Sequence, residues 1–437
     1  MMKKLLIHAC AVVIGTCAMA RALESKPNIV LILADDLGYG SLGCYGNTTV
    51  KTPHIDRLAK DGMRFTDFHS NGAMCTPTRA ALMTGRYQQR CAWVPDEELS
   101  LVFREQRRKN PVQRWAWGLS SQEITLPSVL CNAGYRTALI GKWHLGYDRK
   151  FHPMNYGFDE FRGFIGGNVD YHTHIAGYGM KELDWWHNRE IRKEDGYSTD
   201  LLTKHACEFI KQNKTKPFFL YFSHAAPHYP WQSRDATSKL SSNEKYREMI
   251  AVLDESVGAV MESLREHRLD SKTLVLFCSD NGPQAPKGFA AHGSLTGKKG
   301  DMQEGGHRVP MIAHWLGVIP AQTTSDAVAM TMDFFPTFSR LAGVTLPQNH
   351  KIDGADLMPV FQRKQSFADR TLHWRHGDAW AVRQGSWKLM GQGSQAKTLV
   401  DFTNDPKETI NHLREHPDRV SSLLKLHEQW VAEVGTR

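Results

Sequence analysis

Short, almost wholly apolar runs recur along the chain, and each gives way to polar residues. "PNIVLILADD" ends in Asp35 and Asp36, and "TALIGKWHLG" leads into Lys142 and His144. "KPFFLYFSHAAPH" leads into His224 and His228, "KTLVLFCSDNG" into Asp280 and Asn281, and "RVPMIAHW" is a fifth run. Runs this short and this apolar read as strands buried on both faces. Between them lie stretches of helical periodicity: "TPHIDRLAKDG", "LPSVLCNAGY", "YSTDLLTKHACEFIKQN" and "NEKYREMIAVLDESVGAVMESLREH". Strands alternating with helices predict an α/β fold with helices on both faces of the sheet. Polar residues just after the strands then gather where such sheets bind ligands, outside the carboxyl ends.

The pattern changes near residue 366. "SDAVAMTMDFFPTFSRLAG" reads as a helix and "IDGADLMPVF" as a closing loop. Beyond them, "RTLHWRHGDAWAVRQGSWKLM" alternates as strand, turn and strand, with Gly377 and Gly385 at the turns. "HPDRVSSLLKLHEQWVAEV" reads as a final helix. The predicted organisation is a main domain over 23–365 and a smaller subdomain over 366–437, a small antiparallel sheet plus a helix. The less regular sections 90–122 and 163–195 are expected to carry loops near a substrate.

At 437 residues and 41% hydrophobic content, the chain can bury a large core and a second, smaller one. The opening "MMKKLLIHACAVVIGTCAMARA" places two lysines before an apolar run and small residues after it, so 1–22 reads as a secretory signal peptide. The expected location is periplasmic or secreted. The run is short for a membrane span, and no other segment has the length and character of one. Net charge is +8, of which the leader supplies three positive charges and no acid, leaving +5 on a chain that starts at Leu23. This balance suits an anionic substrate. The one basic cluster, "REQRRK", lacks interleaved aromatics, so nucleic acid is not an expected partner. Six cysteines follow the leader without metal-site spacing, and Cys131 and Cys278 sit in apolar runs as expected core residues.

Asp35, Asp36, Asp280 and Asn281 form an oxygen-rich set on two strand ends. Three carboxylates held together require a cation, and all-oxygen donors favour Ca²⁺ or Mg²⁺ over zinc. Lys142, His144, His228 and Lys299, converging on the same edge, would add an anion pocket with proton donors; Lys298 competes with Lys299. Cys75 opens the helix predicted from "CTPTRAALMTGR", where the dipole favours anions, and Arg79 lies about one turn on. A thiolate beside a carboxylate-held cation is a poor hard–soft match. On the residues alone, the purpose of the cysteine stays open.

The stretch "CTPTRAALMTGR" resembles the signature of the type I sulfatases, in the alkaline phosphatase-like superfamily. Cys75, Pro77 and Arg79 match it, and Thr78 replaces the commoner serine. "NIVLILADDLGYGSLGCYG", "TALIGKWHLG", "PHYP", "SDNG", "EGGHRVP" and "DFTNDPKETIN" resemble further segments of that family in the same order. The resemblance implies a large mixed, mostly parallel sheet between helices, with a small C-terminal antiparallel sheet plus helix. It implies hydrolysis of sulfate esters, with Cys75 converted to formylglycine by a maturation enzyme acting on the unfolded chain. Asp35, Asp36, Asp280 and Asn281 would hold Ca²⁺, with modified Cys75 as a further ligand. Arg79, Lys142 and Lys299 would bind the sulfate oxygens or the formylglycine. His144 would accept a proton, and His228 with Lys299 would protonate the leaving alcohol. Lys299 is preferred to Lys298 because it lies five residues before Glu304.

The alcohol is expected to be a sulfated oligo- or polysaccharide. "GGNVDYHTHIAGYGMKELDWWHN" resembles regions of sulfatases acting on galactose or N-acetylgalactosamine units, such as those of carrageenan and glycosaminoglycans. Trp115, Trp117, Trp185, Trp186, Tyr171, His172 and His174 are candidate stacking and hydrogen-bonding residues, with Trp380 and Arg383 at the pocket rim. Small aryl sulfates and phospho- or phosphonate esters are the alternative substrates, and a glycan-binding protein without activity is the non-enzymatic one.

Overall fold

The computed structural model describes residues 26–95, 117–177, 181–346, 350–364, 367 and 370–435. The leader, Trp115 and the boundary at 365–366 lie outside them. A ten-stranded sheet forms the main body. From one edge its strands run Thr323–Ser325, Met63–Phe65, Met311–His314, Thr273–Ser279, Asn28–Ala34, Phe218–Ser223, Arg136–Lys142, Glu160–Phe164, Trp186–His187 and Glu190–Ile191. The five strands from Thr273–Ser279 to Glu160–Phe164 are mutually parallel. Met311–His314 and Trp186–His187 pair antiparallel on either side of them. The sheet is therefore mixed and mostly parallel. Four strands read from apolar runs, at 28–34, 136–142, 218–223 and 273–279, occupy its centre.

Alternation along the central strand explains why the runs are apolar throughout. Ile29, Leu31 and Leu33 enter one core, while Val30, Ile32 and Ala34 enter the other. The first core is closed by the helices Cys75–Thr84, Leu126–Asn132 and Phe334–Leu341. The second is closed by Pro53–Lys60, Ser198–Gln212 and Ser242–Glu266. The longest helix starts in a capping box, in which Ser241 and Glu244 satisfy each other's backbone N–H groups.

Two readings need correction. Only the second half of "SDAVAMTMDFFPTFSRLAG" is α-helical: Ala329–Met330 is a short strand, and the helix spans Phe334–Leu341. The Met330 N–H bonds to Asp333 Oδ2, drawing the chain into a turn before the helix. Cys131 is a half-buried residue whose Sγ lies 3.9 Å from Asp159 Oδ1, rather than a core residue. Cys278 is fully buried as expected.

The C-terminal part is a four-stranded antiparallel sheet, Thr371–His376, Ala379–Gln384, Trp387–Gln392 and Gln395–Asp401, followed by the helix Pro417–Val434. Trp374 and Leu372 pack with Met330, Met332 and Tyr87 of the main body. No helix among the described residues is long and apolar enough to cross a membrane.

Candidate active site

The central strands deliver their polar ends to one point. Asp35 and Asp36 follow Asn28–Ala34, Asp280 and Asn281 follow Thr273–Ser279, and Lys142 closes Arg136–Lys142. All five are fully buried. Asp36 and His144 turn off their strands in the left-handed region, each at φ 61°. Non-glycine residues there carry strain, which surrounding structure sustains at functional sites.

Each carboxylate has a close cationic partner. Lys142 Nζ lies 2.5 Å from Asp35 Oδ2, and Lys299 Nζ lies 2.8 Å from Asp36. Arg79 donates from Nε and Nη2 to Asp280 Oδ2 at 3.0 and 2.7 Å. Its Nη1 donates to the Lys142 carbonyl and to Ser223 Oγ. Lys298 is exposed, whereas Lys299 reaches Asp36. The lysine loop is fastened on both sides: the Lys299 N–H donates to the Pro283 carbonyl at 3.1 Å, and the Gly300 N–H to the Ala73 carbonyl at 2.8 Å.

Cys75 begins the helix that carries Arg79, and both side chains are buried. Burial pushes the Cys75 thiol up to about 11, against the pull of Lys142 and Lys299. The unmodified thiol is therefore protonated at neutral pH. Burial also raises Asp280, with Asp35 adding to the effect. Asp35 is lowered: burial opposes its ionisation, but Lys142 and His228 outweigh it. His144 is held well below its ordinary value by burial and then by Lys142, Arg79 and Lys299, so its imidazole stays neutral. His228 Nδ1 sits 2.6 Å from the Tyr229 carbonyl, which accepts its proton, and Nε2 lies 3.4 Å from Asp36 Oδ2.

The cluster has the donors for a hard cation. Asp35 Oδ1 and Asn281 Oδ1 are buried without any hydrogen-bond partner. Ligand atoms of Asp35, Asp36, Cys75 and His228 all lie within 4.8 Å of one another. Orphaned carboxylate and amide oxygens fit Ca²⁺ or Mg²⁺, which take oxygen ligands.

These strand ends, the cysteine at a helix start and the fastened lysine loop follow the chain order of a large enzyme family. The Sulfatase family model matches residues 27–344, nearly the whole main body. The chain belongs to the sulfatase family. Residues 297–433 also match the model of the C-terminal part of N-sulphoglucosamine sulphohydrolase. The canine N-acetylgalactosamine-6-sulfatase is 34% identical over 427 residues, covering 93% of this chain and 80% of that protein. Rat arylsulfatase G is 34% identical over 387 residues, covering 79% and 71%. The solved structure of Ps i-CgsB in complex with k-i-k-neocarrahexaose superposes with a TM-score of 0.82 at 31% identity, covering 93% of each chain. As a sulfatase, the chain is a sulfuric ester hydrolase.

Several of the expected sugar-contacting residues are buried in the fold. Tyr171, Trp185 and Trp186 are at most 2% exposed and pack the loops rather than face a ligand. His174 is buried and stacks on Trp185 at 4.2 Å. His172 is half-buried, with Nε2 2.9 Å from the Ser233 carbonyl. Trp380 stacks on His427 at 4.1 Å and donates to the Gly393 carbonyl. Arg383 is paired with Asp67 at 2.6 and 2.8 Å. Trp380 and Arg383 thus spend their polar groups on structure.

Sequence reasoning passed over a buried network under the lysine loop. Lys388 Nζ lies 3.0 Å from both Glu304 Oε1 and Glu408 Oε1 and 3.1 Å from His307 Nε2. His307 Nδ1 meets His69 Nδ1 at 3.1 Å, and His69 meets Asp67 at 2.8 Å. Burial opposes ionisation of Glu304, yet Lys388, His69 and Arg383 lower it well below the carboxylate range. Ser223 was also missed; the signal was a hydroxyl ending an apolar strand.

Proposed function

We propose that this sulfatase removes sulfate from galactose- or N-acetylgalactosamine-type units of a sulfated carbohydrate, such as carrageenan or glycosaminoglycan fragments, after export from the cytoplasm. The observation that carries this reading is the convergence of three buried carboxylates, buried Arg79, Lys142 and Cys75, and largely buried Lys299. The relatives named for N-acetylgalactosamine sulfate and the neighbour solved with a neocarrahexaose support the sugar class.

In this reading Cys75 is converted to formylglycine by a maturation enzyme, and Asp35, Asp36, Asp280 and Asn281 hold Ca²⁺ together with residue 75. The cation, when bound, offsets the clustered carboxylates and polarises oxygens drawn against it. The hydrated aldehyde supplies two hydroxyls on one carbon: one attacks sulfur, and the other provides the exit. Arg79, Lys142 and Lys299 form the positive wall against which sulfate oxygens are held, in a dry site where such contacts are strong. His228 Nε2, with Lys299 beside it, gives a proton to the leaving alcohol oxygen. Neutral His144 takes the proton from the remaining hydroxyl, so that the C–O bond to sulfate breaks and the aldehyde returns.

The test is sulfate release from oligosaccharides of defined sulfation, with matched phosphate esters alongside. Release from galactose- or N-acetylgalactosamine-type sulfates, with phosphate esters at least about a hundredfold slower, is expected; that gap is about 2.7 kcal/mol of transition-state discrimination. A chelator should abolish release, and Ca²⁺ at about a hundredfold excess over its dissociation constant should stabilise the fold by about 2.7 kcal/mol. Asp35→Asn should weaken that stabilisation. Preferential phosphate release, or activity indifferent to chelation, contradicts the reading.

A further inference from the structure

His144 has little to aim it. Its Nδ1 is buried without a partner, so no hydrogen bond to that nitrogen fixes the ring, as is usual where histidine serves as a base. Its backbone is held instead by the turn after Glu160–Phe164. The Trp143 N–H donates to the Phe164 carbonyl at 3.0 Å, and the His144 N–H to the Ile165 carbonyl at 3.2 Å. The ring lies directly over the next residues of that turn: a Cβ on Gly167 would come within 2.9 Å of Nε2 and 3.1 Å of Cε1.

The turn itself hangs on one carboxylate. Asp184 Oδ1 accepts the Ile165 N–H at 3.0 Å, and Oδ2 accepts the Gly166 N–H at 2.7 Å. Trp186 Nε1 donates to Oδ1 at 2.7 Å. Gly166 leaves room for this approach, since a Cβ there would sit 2.7 Å from Oδ2. Asp184 is itself anchored: its N–H donates to the carbonyl of His174, whose ring stacks on Trp185. It is fully buried, and no cationic side chain pairs with it among the described residues. Burial pushes its carboxyl up to about 6, although the Ile165, Trp186 and Gly166 donors counter this. A carboxylate buried without a counter-charge is costly, and three donors converging on it fix a geometry that apolar packing would leave loose.

We propose that Asp184 is a positioning residue for catalysis: it locks the Ile165–Gly166 turn and thereby sets the place of the His144 imidazole. The proposal rests on the reading of His144 as the base that expels sulfate. It carries a signature that a general loss of structure does not. Misplacing His144 slows sulfate release more than departure of the alcohol, because Asp184 bonds to the turn beneath His144 and not to Arg79, Lys142, Lys299 or His228.

The experiment uses full-length, modified enzyme and an aryl sulfate with a chromogenic alcohol, mixed rapidly. Asp184→Asn keeps the volume but sets an NH₂ against backbone N–H donors. Turnover should fall about a hundredfold, the scale of an ångström-level misplacement. The alcohol should appear in a burst ahead of sulfate, and intact-mass measurement should find the sulfuryl group retained on the protein. Competition by inorganic sulfate should stay at its parent strength. Gly167→Ala, which presses on the ring from the turn that Asp184 holds, should give the same burst and decides the matter if Asp184→Asn does not fold. His144→Ala is the reference. If it releases alcohol and sulfate in step, the role of His144 falls and the proposal with it. If it shows the burst while folded Asp184→Asn or Gly167→Ala releases both products in step, the positioning role alone is overturned.

Discussion

The Cys75→Ser protein is expected to release at most one equivalent of alcohol per site and then stop. A serine at the start of the Cys75–Thr84 helix occupies the same buried position, facing Lys142 and Lys299. It can take a sulfuryl group, but its ester carries no second hydroxyl on the same carbon. His144 then has no proton to remove, and the ester has no route of collapse. Sustained turnover should fall by about 10⁴- to 10⁶-fold, the scale seen when a nucleophile is lost. Unmodified Cys75 should fare no better, because burial raises its thiol to about 11 and leaves little thiolate. The check is simultaneous assay of alcohol and sulfate over many multiples of the enzyme concentration. Parent-rate release of both by the serine variant contradicts the two-hydroxyl mechanism.

The second large effect lies away from the reacting atoms. Lys388→Ala should destabilise the protein by about 3–5 kcal/mol, because removing one member of a buried ionic group strands the others. Glu304 and Glu408 would be left facing each other, both buried. The loss should also reach activity. The Gly305 N–H, next to Glu304, donates to the Thr296 carbonyl, and Thr296 Oγ1 donates to the Lys407 carbonyl. His376 Nδ1 lies 3.1 Å from the Gly300 carbonyl. The C-terminal part thus braces the loop that presents Lys299. Denaturant titration gives the stability change, and kcat/KM should fall with it. A loss under about 1 kcal/mol would mean that the network contributes little to docking the subdomain. Lys388→Met tests the same point, since an apolar side chain of similar length removes the charge that both Glu304 and Glu408 face.

Much of the main body was legible because one physical pattern repeats in it. A strand buried on both faces must be apolar throughout, so the change from Ala34 to Asp35 or from Ser279 to Asp280 marks both the end of the strand and the edge of the sheet. Lys142 was legible for the same reason. The C-terminal sheet was harder, because alternation specifies that one face is buried without specifying what covers it. Arg383 and Lys388 stand directly opposite each other on neighbouring strands, and Arg383 read as a residue of the pocket rim. Asp67, Glu304 and Glu408 lie beneath them instead, drawn from segments remote in sequence. The aromatic loops misled similarly. Trp185 and Trp186 look like sugar platforms in a one-dimensional reading, yet their indole N–H groups bond to Glu194 and Asp184 inside the fold. Asp184 carried no signal of its own, since its partners are the backbone N–H groups of Ile165 and Gly166, and no periodicity records a backbone donor.

The central claim is that Cys75 is a precursor and that its oxidised form does the chemistry inside a buried, cation-ready pocket. Peptide mass mapping of catalytically active protein, with the fraction modified at residue 75 compared with the rate of sulfate release across preparations, tests it most directly. The Cys75 peptide of active protein should carry the aldehyde or its hydrate, and the rate should scale with that fraction. Full activity from protein whose Cys75 is an intact thiol would contradict it.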